Sequence, residues 1–100
     1  MAKQQTFLRV DWTARFKASY ARLAAERQRQ CDAAVMQVIK RQPTPGLRIK
    51  PIQPDKHYRE ARVNDGDRLI FFGENDAVTF IDVVSHDQIS RYGRAPREKD

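Results

Sequence analysis

Scarcity narrows the field for this 100-residue chain: it has one cysteine, four glycines and no long apolar run. The lone Cys31 cannot close an internal disulfide, which suits a reducing compartment. No stretch approaches the ~18 apolar residues of a membrane span, and the N-terminus lacks the apolar core of a signal peptide. The expectation is therefore a cytoplasmic protein with no membrane partner. So few glycines form no phosphate-cradling loop, and no zinc-ligand spacing or hydrolase motif occurs. No cofactor and no metal is expected. Repeats and low-complexity tracts are also absent.

What is present fits one domain. A chain this long has one core and buries roughly 60–65% of the surface its unfolded form exposes. Hydrophobic residues make up 40% of it and charged residues 32%. The net charge of +6 is uneven: residues 1–50 carry 11 Lys/Arg against 3 Asp/Glu, whereas residues 51–100 carry 8 against 10. A basic half favours polyanionic partners such as nucleic acid or an acidic protein segment. Solvated helix faces account for the same charge without a partner.

Residues 1–6 read as a loose terminus and Phe7–Val10 as a short strand. Asp11 or Thr13 can cap a first helix, in which Phe16, Tyr20 and Leu23 recur on one face. Ala24-Ala25 marks the corner of a helical hairpin. The second helix runs from about Glu26 to Lys40, with Cys31, Ala34, Val35, Val38 and Ile39 as its apolar stripe. Pro43-Thr-Pro-Gly46 stops it.

From Leu47 the period becomes two, predicting a half-buried strand over residues 47–50 that Pro51 and Pro54 keep short. Tyr58–Val63 and Arg68–Phe72 read as a hairpin around Asn64-Asp-Gly-Asp67, with Gly66 and its neighbours supplying positive φ. After a second turn, Gly73–Asp76, comes Ala77–Val84, apolar on both faces and so central. One helical turn over His86–Tyr92 and a polar tail at 93–100 complete the chain. The order predicts an α+β domain: an N-terminal helical hairpin on one face of a three- to four-stranded antiparallel sheet, with the other face a concave working surface. Arg62 and Arg68 flank the tight turn, and Ser85-His86-Asp87 follows the next strand. Together they can converge on one face as a site for a phosphodiester.

This arrangement resembles the RelE/ParE toxin superfamily over about residues 7–92. The resemblance rests on the helical hairpin, on Pro43-Thr-Pro-Gly-Leu-Arg-Ile49, and on Tyr58-Arg-Glu-Ala-Arg62 running through the turn to Arg68-Leu-Ile-Phe-Phe72. Val83-Val-Ser-His-Asp87 adds to it, and Asp67 stands where many members carry an aromatic. The resemblance implies the toxin of a bacterial type II toxin–antitoxin pair, with a small antitoxin as partner. Many such toxins are ribosome-associated, metal-independent endoribonucleases acting on mRNA. A ParE-like branch inhibits DNA gyrase instead, and a catalytically silent binding descendant of the fold is a third reading.

Metal-free RNA cleavage uses the ribose 2′-hydroxyl as nucleophile, so the protein must stabilise charge on the phosphorane and protonate the departing 5′-oxygen. By resemblance Arg68 takes the phosphate-binding role, which suits its planar, permanently charged fork; an ion pair with Asp82 is its structural alternative. Arg59 aligns with a family lysine that assists proton transfer or holds the backbone, although guanidinium is a poor proton carrier. Ala61 stands where a second basic group is expected. Arg62 reads as a brace for the sheet or as an RNA contact. His86 is the candidate acid for the leaving oxygen, oriented by Asp87 or Ser85. Tyr92 is a candidate for stacking on a base or bonding the 2′-oxygen, with Arg91 at the nearer position. Lys50, Lys56, Arg15, Arg22, Arg27 and Arg29 are available to neutralise RNA backbone. His57 reads as solvated. Glu60, a conceivable general base, alternates away from Arg59 and needs a bulge to reach the site.

Overall fold

A computed structural model describes residues 6–42, 44–52 and 57–89. In order these form β1 (Arg9–Trp12), α1 (Ala14–Ala21), α2 (Ala25–Ile39), β2 (Lys50–Pro51), β3 (Arg59–Arg62), β4 (Asp67–Glu74) and β5 (Ala77–Ser85). Short 3₁₀ turns occupy Pro45–Leu47 and His86–Gln88. The fold is α+β, with the helices packed on one face of the sheet.

The sheet has five strands in the order β1-β5-β4-β3-β2 and is mixed, not the three- to four-stranded antiparallel meander expected. The difference is β1, which pairs parallel with β5 from Arg9↔Ala77 to Trp12↔Phe80. This places β5 between two neighbours, as its two apolar faces require. The first strand lies two residues later than its apolar pattern suggests. The Phe7 amide instead donates to Ile39 O, and that of Leu8 to Asp76 O, which ties the incoming chain to the end of α2 and to the β4–β5 turn.

Thr13 performs the cap expected at this point: its Oγ1 accepts from the Phe16 amide at 3.0 Å. The same hydroxyl donates to Ile81 O at 2.6 Å. Ile81 is the extra residue of a bulge in β5, since Ile70 faces Asp82 while Phe71 faces Phe80. One buried hydroxyl therefore starts α1 and satisfies a carbonyl at the irregularity in the central strand. The expected corner is also present, with Ala24 as the N-cap of α2.

Residues 47–50 depart from the predicted strand. Leu47 closes a 3₁₀ turn, Arg48 takes a left-handed φ of 47°, and only Lys50–Pro51 pairs with β3. Pro45 favours the turn, and Pro51 has no amide with which to extend the ladder. Leu47 is nonetheless buried in the main core. That core lies between helices and sheet and joins Phe16, Cys31, Val35 and Val38 to Leu69, Phe71, Val78 and Phe80.

Candidate phosphate site at the β3–β4 turn

Strand register decides which charged side chains meet. On the helix side, Arg59 stands beside Phe71 and Ala61 beside Leu69. On the outer face, Lys50, Glu60, Ile70 and Asp82 form one cross-strand row, and Arg62, Arg68 and Val84 form the next. Arg62 and Arg68 are thus direct neighbours, with Lys50 on the same face. Arg59 is on the opposite face from Arg68, and Ala61 is fully buried in the core, where a basic side chain would displace apolar packing. Glu60 needs no bulge to reach this region: its alternation away from Arg59 is what places it on Arg68's side.

The outer face is not the open concave surface expected. Ile70, Glu60 and Asp82 are 0%, 6% and 4% exposed, and Ile52 beside β2 is 1% exposed. At this end of the face, among the described residues, Lys50 at the β2 edge and the margin formed by the arginine row and the turn stay accessible. Arg68 itself is 13% exposed along its side chain, and its Nε lies 3.8 Å from the Glu60 carboxylate. Its Nη1 donates to three backbone carbonyls, those of Asn64 at 2.8 Å, Asp67 at 3.0 Å and Asp65 at 3.3 Å. Arg62 pairs with exposed Asp65. The guanidinium of Arg68 is held from one edge, whereas that of Arg62 is tied to the turn's tip.

The turn is built differently from its sequence signal. Among the described residues no glycine has positive φ. The Asn64 side chain organises the loop instead, its Oδ1 accepting from the amides of Gly66 and Asp67, both at 2.8 Å. The Asn64 amide donates to Asp67 Oδ2 and to Gln30 Oε1 on α2. Arg27 of α2 grips the Asp67 carboxylate with two bonds, Nε to Oδ2 at 2.9 Å and Nη2 to Oδ1 at 2.7 Å. This grip holds the carboxyl of Asp67 below the usual carboxylate range; burial opposes it, and Asn64 and Arg68 reinforce it. Asn64 and Asp67 were not assigned to the site by sequence reasoning, and Arg27, expected to neutralise RNA backbone, is instead bonded to Asp67. The Asn-x-Gly-Asp string hinted at the side-chain turn, but nothing local linked it to Arg27, forty positions earlier.

His86 follows β5 at the start of a 3₁₀ turn and is exposed. Its backbone amide donates to Gly66 O at 2.8 Å, which binds the end of β5 to the turn that carries Arg68. Ser85 is engaged with Gln88 in a reciprocal capping box. Exposed His57 packs at 4.6 Å on Phe72, which also stacks on Tyr58. Lys56, Arg91 and Tyr92 lie outside the described residues. Between α1 and the far end of β5 runs a polar groove of ≈ 460 Å³, lined by Arg15, Ser19, Arg22, Arg27 and Asp67 among others. A second cleft of ≈ 360 Å³, mostly apolar, lies beside β1 and is lined by Trp12, Phe16, Tyr20 and Val35 together with Lys17 and Asp32.

No protein-family model matches the chain, and no curated protein matches it by sequence. Solved structures do match. YafQ from E. coli strain BL21(DE3) is 17% identical, with a TM-score of 0.68 over 80% of this chain and 94% of that one. The E. coli DinJ-YafQ toxin-antitoxin complex gives 18% identity and a TM-score of 0.68, over 85% of this chain and 96% of the matched one. A YoeB dimer from Staphylococcus aureus gives 10% identity and a TM-score of 0.65, over 80% and 98%. The fold of this chain is the one these structures share.

Proposed function

We propose that this chain is the toxin of a type II toxin–antitoxin pair and that it cuts mRNA on the ribosome. The observation that carries the reading is the placement of Arg62 and Arg68 side by side on the outer face, with His86 bonded to the same turn. The likeness to YafQ and YoeB supports the toxin role, and the DinJ-YafQ complex supports an antitoxin as partner. In this reading the ribose 2′-oxygen forms a bond to phosphorus as the bond to the 5′-oxygen breaks. Arg68 stabilises the charge gathering on the phosphorane, and Arg62 holds the adjoining backbone. The His86 imidazolium delivers a proton to the departing oxygen, and solvent takes the proton from the 2′-hydroxyl. The products are a 2′,3′-cyclic phosphate and a 5′-hydroxyl.

The test is purified protein with translating ribosomes, followed by mapping of RNA ends. Cleaved message with these ends, abolished by a 2′-deoxy substitution at the cut nucleotide, is the expected result. Intact message at every pH tried ends the enzyme reading.

One observation favours a second reading, a ParE-like inhibitor of DNA gyrase without enzymatic activity. Arg68 is largely covered and engaged by carbonyls, while Arg59 and Ala61 are turned away from it. Inhibition of supercoiling that survives Arg68→Ala and His86→Ala identifies this alternative. The partner in either case is an antitoxin segment of acidic character, matched to a chain of net charge +6. A short acidic reading frame beside the gene is the simplest check.

A further inference from the structure

The β3–β4 turn does more than reverse the chain. Three of its carbonyls converge on Arg68 Nη1 because Asn64 folds the loop around its own side chain. Asn64 is in turn fixed by Asp67 Oδ2 and Gln30. The Asp67 carboxylate, 5% exposed, is fixed by the fork of Arg27, which is half exposed on α2. Gly66, in the middle of the same loop, accepts the His86 amide. The groups assigned to the phosphate and to the leaving oxygen therefore hang from one short loop, whose shape is set from the helix layer.

From this arrangement we infer that Asp67 is a positioning residue for Arg68 and that Arg27 is the arm on α2 that holds it in place. The inference rests on the nuclease reading for its catalytic consequence but not for its structural one. Asp67 donates no proton and touches no substrate. Its carboxylate keeps Asn64 in the rotamer that aims the three carbonyls, and those carbonyls fix one edge of the Arg68 guanidinium. A guanidinium aimed in advance gives up less freedom when it meets a phosphate, and small misplacements of such a group are costly.

The experiment compares wild type with Asp67→Asn, Arg27→Lys and Arg27→Gln in two measurements. The first is the side-chain Nε–H resonance of Arg68 in ¹H–¹⁵N spectra, with backbone amides of β4 and β5 reporting that the fold is intact. Asp67→Asn and Arg27→Gln are expected to move this resonance to the position and fast exchange of a free arginine, and Arg27→Lys to move it part of the way. The second is cleavage kinetics, in which kcat of Asp67→Asn falls by about 10²-fold while KM stays within about twofold. A merely structural role would lower the melting temperature and leave kcat unchanged well below it. An unmoved Arg68 resonance in folded Asp67→Asn overturns the inference, as does an unchanged kcat. Should Asp67→Asn not fold, the Arg27 pair decides alone, because it leaves the carboxylate in place. If wild type cuts no RNA, the nuclease reading falls, while the Arg68 resonance still decides whether Asp67 positions it.

Discussion

Arg68 is held by three carbonyls along one edge and faced by Glu60 at its Nε, so its charge is oriented as well as located. Lysine keeps the charge but cannot reproduce a planar fork. If the chain is the nuclease proposed above, Arg68→Lys loses most of the cleavage activity, and Arg68→Ala lowers the cleavage rate by about 10²–10³-fold in single-turnover assays. On the same reading His86→Ala should cost about 10²–10⁴-fold. Cys31 makes an opposite case. It is fully buried in the α2 stripe, and burial pushes its thiol up to about 12. Native protein should resist alkylation by iodoacetamide near neutral pH and react only after unfolding, which a mass measurement checks directly.

At the scale of elements, α1 and the central strand share one residue. Thr13 caps the helix and satisfies the Ile81 carbonyl at the bulge, so Thr13→Ala removes two bonds from a buried site. The expected loss is about 2–3 kcal/mol in urea unfolding, while Thr13→Ser should retain most of the stability. A Cβ on Gly73 would meet the Phe7 ring at 2.8 Å, and Arg41 stacks over that ring at 3.8 Å. Gly73→Ala must displace this packed pair, with an expected cost of about 1–3 kcal/mol. Helix positions, the Ala24 corner and the central β5 were legible in the sequence because apolar period and capping chemistry are local. The pairing of β1 with β5 was not, because parallel partners far apart leave no mark on either segment. The 3₁₀ turn at Pro45–Leu47 was hidden by an apolar alternation that a buried Leu47 satisfies in either geometry. The placement of Arg62 beside Arg68, and of His86 next to their turn, was readable from spacing around strands; the Arg27–Asp67 fork was not, since it joins two layers.

For the molecule as a whole, the fork between α2 and the β3–β4 turn also joins helix layer to sheet. The Asp67 carboxyl sits below its ordinary 3.8, so its contribution to stability is complete above that value and is lost as pH falls through the folded-state value. Asp67→Asn should flatten the acid limb of stability against pH, measured as melting temperature between roughly pH 5 and 2. The parallel pairing of the first strand with the last has a consequence of another kind. Thr13 reaches its partner Ile81 across 68 positions of chain, so β1 is synthesised well before the strand on which it docks. Throughout that interval β1 has no strand to pair with, and the edge of the sheet it completes does not yet exist. The order of synthesis thereby makes the docking of the first strand a late step in the assembly of this sheet.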